Sequence, residues 1–306
     1  MTIDQQSYPA EDPALILWPA GINRPWRDLI DIATRARMDG ISLSPLTLRD
    51  IEKDKDGSAG FGERLAAAGL YVSHLDGVSS WAAERHPDRD DPSYGLVHPL
   101  FDFSVGELLD FAGKFNIRSV AAVGAFSKGA IGFDEICRSF ADFCDQAKAQ
   151  DIWVDLEFIP HWGIPDLPAA WRLLSAVDKD NCGILVDNWH LQKGSADFEA
   201  DMALFDEIPG RFLRALQLCD DTVEMRETTT FGELIKHGRD FPGEGELAVD
   251  RVLTSLLKKG GLKCVGAEPF SAELADLSAD EIALRTDRSV RGALATAYEG
   301  LRSTCA

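Results

Sequence analysis

The sequence predicts a (β/α)8 barrel, and three observations carry that prediction. Eight short apolar runs recur along the chain, segments of helical period separate them, and the runs are rich in Val, Leu, Ile and aromatics, as strands buried on both faces are. Strands and helices in strict alternation build a parallel sheet, and eight such units close into a barrel. A doubly wound sheet would also hold eight strands, but no run is followed by a G-x-G-x-x-G turn. The 306 residues, 45% hydrophobic and 27% charged, suit a globular protein with a large core, read as a single domain over 1–306.

In chain order the runs are "ALILWPAG" (14–21), "GISLSP" (40–45), "LYVSHLDG" (70–77), "RSVAAVGAF" (118–126), "IWVDLEFIP" (152–160), "CGILVDNW" (182–189), "FLRALQLCD" (212–220) and "KCVGAEPF" (263–270). Between them lie amphipathic stretches such as "WRDLIDIATRARMDG", "VGELLDFAGKFN", "FDEICRSFADFCDQAKAQ" and "AVDRVLTSLLKKGG". Several end in Gly before the next strand, the usual helix stop. Ser278, with Glu281 three residues on, is a capping-box start for the last helix. Two connections are long, 78–102 after the third strand and 221–246 after the seventh. Both leave strand C-termini, the face of a barrel that carries activity.

The balance of 31 basic and 51 acidic residues, net charge -20, argues against nucleic acid and anionic membranes as partners and for a small molecule. A homo-oligomer is compatible with it. Six scattered cysteines without a C-x-x-C pair read as reduced core thiols. No basic, apolar leader opens the chain and no run approaches a membrane span, so the expectation is a cytoplasmic protein.

Strands five to eight end in Glu157, Asp187, Gln217 and Glu268. Side chains alternate along a strand, so only the last inward positions face the mouth of a barrel. Taken singly, each acid reads as a helix cap or a surface pair; together, on consecutive strands, the four read as a metal site. Converging carboxylates without a counter-charge would cost on the order of several kcal/mol or take up protons. One divalent ion removes that cost. An oxygen-rich set without thiolate or imidazole suits Mn2+ or Mg2+ ahead of Co2+ or Zn2+. Asp155 has the same parity as Glu157 but sits one layer deeper, as an acceptor beneath the ligands.

"VDLEFIP", "LVDNWHLQKG", "LQLCD", "RDFPGEGEL" and "GAEPF" together resemble the xylose isomerase-like TIM-barrel superfamily of sugar phosphate isomerases and epimerases. The resemblance covers the C-terminal half, and the N-terminal third matches only in its alternation of strands and helices. It implies metal ligands Glu157, Asp187, Gln217 and Glu268, with Gln217 where many epimerases have His. It further implies that Glu157 and Glu268 are the acid/base pair, that His190 of D-x-x-H contacts a substrate oxygen, and that Arg239 before the P-G turn lies near substrate. His74, at the third strand end, and His161 are further candidates in the dehydratase style. Trp18, Trp81 and Phe101 are aromatic candidates for a sugar-holding wall or lid, or for a hydrophobic staple under the loop. His86, His98 and His237 read as surface, Glu244 and Glu246 as a solvated turn, and Arg226 as a weaker anion contact.

The expected reaction is isomerisation or epimerisation of a small polyhydroxy ketone through a metal-stabilised enediolate. The alternative is a metal-dependent dehydratase of the dehydroshikimate or inosose type, acting on a sugar-like or keto acid substrate. An endonuclease in this fold needs extra histidines and a basic surface, and both are missing from the sequence. A barrel that only binds a sugar would not need all four ligands.

Overall fold

The computed structural model describes residues 12–90, 94–223 and 238–303. Its eight strands are β1 (Ala14–Leu17), β2 (Gly40–Leu43), β3 (Tyr71–Val78), β4 (Ser119–Val123), β5 (Trp153–Glu157), β6 (Cys182–Asp187), β7 (Leu213–Leu218) and β8 (Cys264–Ala267). They form a closed barrel in sequence order, each parallel to its neighbours, with β8 against β1. Most strands end earlier than the apolar runs. The surplus residues leave the sheet and turn into the mouth, as Trp18 and Glu268 do.

Register sets the height of each inward side chain. Val123 pairs with Glu157, Asp187 with Gln217, and Gln217 with Gly266, two residues before Glu268. One layer down, Ala121 pairs with Asp155 and Asp155 with Gly183. Inside the barrel a small apolar set, Ile16, Trp18, Ala121, Leu185, Ala215 and Cys264, fills the space. The larger core lies between sheet and helices. Helix Phe133–Lys148 turns Ile136, Phe140, Phe143, Cys144 and Ala147 inward, one face at helical spacing. Full burial of a side chain such as Phe140 stabilises the fold by about 1.5–3 kcal/mol.

The capping box forms as expected: Glu281 N donates to Ser278 Oγ at 3.2 Å and Ser278 N to Glu281 Oε2 at 2.8 Å, opening helix Ala279–Ser303. Cys144, Cys182, Cys219 and Cys264 are free, buried thiols, and Cys137 is free and half-buried. Cys305 lies outside the described residues, as do Arg226 and His237 of the seventh connection. No helix among the described residues is long and apolar enough to cross a membrane.

The aromatic residues of the third connection divide. Trp81 Nε1 donates to Val123 O at 2.9 Å and its ring packs on Phe126 and Phe140, which makes it a staple under the loop and not a substrate wall. Phe101 meets Trp162 edge-on at 5.7 Å, within a separate cluster with Val97, Val123, Ala125 and Ile159.

Candidate active site

Strand β6 delivers Asp187 and hands the chain straight to helix Asn188–Gly194. Asp187 Oδ1 caps that helix, accepting from Trp189 N at 2.7 Å and His190 N at 3.2 Å. The cap holds His190 close: its Nε2 lies 3.5 Å from Asp187 Oδ2 and 3.3 Å from Glu157 Oε1. Asn188 ties this turn to the next strand by donating to Cys219 O at 2.9 Å and accepting from Cys219 N at 2.8 Å.

Arg239 reaches the mouth because the seventh connection returns beside the chain after β8. Phe270 N donates to Arg239 O at 2.8 Å, and Asp220 and Asp240 exchange backbone bonds of 2.9 and 2.8 Å. Behind it, Asp220 accepts from Gly243 N and Leu247 N, both at 2.9 Å, and fixes the Pro242–Gly243 turn, where Gly243 has φ +88°. The guanidinium is sandwiched by Trp189 and Phe270, 4.5 and 4.8 Å from the ring centroids. It donates from Nη1 to Asp187 Oδ2 at 2.7 Å and lies 3.5 Å from Glu268 Oε2. Gln217 Nε2 donates to Glu268 Oε1 at 3.1 Å.

These groups are all buried, and burial dominates their protonation. Glu157 and Glu268 are pushed well above the usual carboxyl range, by burial first and by the other acids of the mouth second, with Arg239 opposing. Burial drives His190 down to about 3, so its ring is neutral. Burial would raise Asp187 as well, but the His190 and Arg239 side chains and two backbone donors hold it below the usual range. With His190 neutral, the cation that keeps Asp187 ionised is Arg239.

The set fits a divalent ion. Glu157, Asp187 and His190 offer ligand atoms within 4.8 Å of one another. Gln217 Oε1 is buried beside Glu268 with no hydrogen-bond partner among the described residues, a neutral oxygen for which a cation is a natural partner. Arg239 already neutralises part of the charge of Asp187 and Glu268.

The opposite side of the mouth departs from expectation. His74 is not at the end of its strand but in the middle of β3, one layer below the candidate ligands. Its Nε2 lies 3.2 Å from Asp155 Oδ2, and Arg214 Nε donates to Asp155 Oδ1 at 2.8 Å. Asp155 is therefore an acceptor one layer beneath the candidate ligands, the place its parity predicted. Arg214 lies 3.6 Å over the Trp153 ring and threads past Gly183, where a Cβ would come within 2.2 Å of its Cδ. Only glycine fits there. Trp18 is fully buried against His74, ring centroids 4.8 Å apart.

The mouth position on β3 belongs to Asp76, a residue the sequence reading passed over. Asp76 keeps part of its surface open, yet burial among its neighbours pushes its carboxyl up to about 6 against the pull of His74 and Ser42. It also raises both Glu157 and Glu268. Its signal was present, since Asp76 has the inward parity of His74 two residues before it. Arg214 had a signal too, a lone cation inside an apolar run. Of the remaining candidates, His161 is exposed, His86 pairs with Asp102 at 3.1 Å and His98 stacks on Tyr94 at 4.8 Å. Glu244 and Glu246 sit in the turn as expected, with Glu244 paired to Arg285.

Residues 30–288 match the family described as the xylose isomerase-like TIM barrel. The chain belongs to that family. Within the xylose isomerase-like TIM barrels, an inosose isomerase from Halalkalibacterium halodurans is 29% identical over 242 residues, 77% of this chain and 80% of that protein. An inosose isomerase from Bacillus velezensis is 24% identical over 217 residues, 69% of this chain and 72% of its own. Among solved structures, the IolI protein with a bound zinc atom superposes with a TM-score of 0.72 at 18% identity, over 92% of this chain and 97% of its own. A probable 3-DHS dehydratase, AsbF, from Bacillus anthracis gives 0.67 at 14% identity, over 89% and 97%. The structural likenesses speak to the fold.

Proposed function

We propose that this enzyme isomerises or epimerises a cyclic or open-chain polyhydroxy ketone, with an inosose as the first substrate to test. The observation that supports the reading is the convergence of Glu157, Asp187, Gln217 and Glu268 on one buried mouth flanked by the guanidinium of Arg239. The inosose isomerases among its sequence relatives favour a cyclitol.

Glu157, Asp187, Gln217 and Glu268 would hold a divalent ion. Bound there, it supplies Lewis acidity to a ketone oxygen and the adjacent hydroxyl. Oxygen donors suit Mn2+ or Mg2+; a share for the His190 nitrogen would shift the balance toward Zn2+ or Co2+.

The chain's own groups do the proton transfer. Strands β5 and β8 lie three places apart round the barrel, so Glu157 and Glu268 reach the site from different directions. Their raised proton affinity makes each a competent base for a carbon acid and a competent donor afterwards. Removal of a proton beside the carbonyl leaves an enediolate, and Arg239 lies where it can meet the developing charge. His190, neutral and fixed by the Asp187 cap, offers a hydrogen bond to a substrate oxygen.

A dehydratase would use the same groups but expel a β-hydroxyl, and Gln217 in place of the epimerases' His favours keeping that reading. A conjugated enone product absorbs in the ultraviolet and an isomer does not. The deciding experiment is metal analysis of the purified protein, followed by NMR of inososes in deuterated buffer with wild type, Glu268→Gln and His190→Ala. Deuterium uptake by wild type, its loss in Glu268→Gln, and metal retained in His190→Ala are the expected results. No divalent ion in any preparation, with exchange unchanged in Glu268→Gln, would sink the proposal.

A further inference from the structure

Three polar groups, at and just beneath the β1–β3 side of the mouth, take no part in the chemistry above. Trp18 Nε1 is buried and has no hydrogen-bond partner among the described residues. The same holds for His74 Nδ1. Asp76, on the same strand face two residues nearer the mouth, has a long bond of 3.4 Å from Ser42 Oγ. Buried polar atoms are nearly always paired, so two orphans side by side with a weakly held carboxylate mark a place where a ligand's polar atoms go.

We infer that Trp18, His74 and Asp76 form a hydroxyl-binding wall that holds a cyclic polyol against the opposing metal-ligand side of the mouth. The inference rests on the reading of this mouth as a polyol site and adds the groups that select the ring's hydroxyls.

The wall has complementary parts. Trp18 supplies an N–H donor and an apolar ring edge, the combination that suits the C–H and O–H groups of a polyol. Asp155 is kept ionised by Arg214 and can only accept, so the proton between it and His74 sits on Nε2. Nδ1, on the other side of the ring, is then the polar atom left for a ligand. Asp76 accepts through two oxygens and can take both hydrogens of a vicinal diol. One donor and several acceptors in fixed positions demand a ligand with hydroxyls at neighbouring carbons; a keto acid with a single oxygen substituent would leave the orphans unpaired. Arg214 and Asp155 are positioning residues here. They touch His74 and one another, and they set which His74 nitrogen faces the ligand.

The test is calorimetric titration of the Mn2+-supplied protein with myo-inositol, which has no ketone and cannot react, and with its mono-deoxy analogues. Asp76→Ala is expected to weaken inositol binding about 10- to 100-fold, the loss of a hydrogen bond to a charged group, and Trp18→Phe about tenfold. The deoxy analogue lacking the hydroxyl held by Asp76 is expected to bind wild type and Asp76→Ala equally. Equal inositol affinity in wild type and Asp76→Ala, at matched melting temperatures, would overturn the wall. So would absence of inositol binding in wild type, or a uniform loss for inositol and every deoxy analogue. Failure of deuterium exchange, with Asp76-dependent inositol binding intact, would remove the proposed reaction and leave the wall standing.

Discussion

The two sides of the barrel mouth treat buried charge in opposite ways. On the β5–β8 side, Glu157, Asp187 and Glu268 crowd together, and one guanidinium, Arg239, is shared between Asp187 and Glu268. On the β1–β3 side Trp18 Nε1 and His74 Nδ1 have no partner among the described residues and Asp76 is weakly held, and beneath them lies the matched pair of Arg214 and Asp155, supplied one layer down by β7 and β5. The first side stores a demand for positive charge, which suits an ion; the second stores unmet hydrogen bonds, which suit hydroxyls. A substrate with a ketone at one end and hydroxyls around the ring answers both.

The largest effect expected from breaking this division is in turnover. Glu268→Gln removes the proposed proton carrier and metal ligand while keeping the shape and the bond with Gln217. Deuterium exchange should fall by about 10^3-fold or more, the scale of losing a catalytic acid/base, and bound metal should fall with it. A fall in metal without a fall in exchange would assign the chemistry elsewhere in the mouth.

Next is stability beneath the wall. Asp155→Asn leaves Arg214 buried without its counter-charge, and removal of one partner of a buried pair costs about 3–5 kcal/mol. Urea denaturation should show it with bound metal unchanged. The pH dependence has a definite sign. Burial works to raise Asp155, but Arg214 and His74 depress it, so its stabilising contribution is present above the ordinary Asp range and is lost as pH falls through the depressed value. Wild type should therefore lose its advantage over Asp155→Asn only in strong acid.

The ligand side should run the other way. Glu157 is raised by burial and by Asp76 and Asp187, so in metal-free protein the native state holds its proton where the unfolded chain has released it. Stability then declines as pH rises from the ordinary Glu range through the raised value. Glu157→Gln removes that penalty, and the metal-free variant should be more stable than metal-free wild type at pH 8 and close to it at pH 4. Mn2+ should stabilise wild type and do little for the variant. A metal-free wild type whose stability rises from pH 5 to 8 relative to Glu157→Gln would contradict the charge accounting of this half.

This division also explains what the sequence could disclose. The eight strands were legible because apolar runs buried on both faces stand out against helices of clear period, and parity at the ends of β5–β8 singled out Glu157, Asp187, Gln217 and Glu268. Asp155 followed from the same parity. Asp76 did not, because His74 two residues earlier looked like the strand end; β3 runs on to Val78, which puts His74 a layer down and Asp76 at the mouth. Although the lone cation in an apolar run was visible, the contact of Arg214 with Asp155 was illegible for a different reason. It depends on a register shift between β6 and β7 that turns Arg214 inward and on the space Gly183 leaves for it, neither of which a local pattern encodes.

The smallest effect separates the wall from its surroundings. Trp81 lies in the third connection, as a substrate-facing ring would, but its indole N–H is spent on Val123 O and its ring on Phe126 and Phe140. Trp81→Phe deletes one neutral hydrogen bond and some packing, and should cost about 1 kcal/mol of stability with the Km and kcat for an inosose unchanged. Trp18→Phe also loses buried packing, but its deleted N–H has no protein partner among the described residues, so its distinguishing effect is weakened binding of the polyol. If both variants moved Km equally, the third connection would belong to the binding surface, and the polyol would span both sides of the loop.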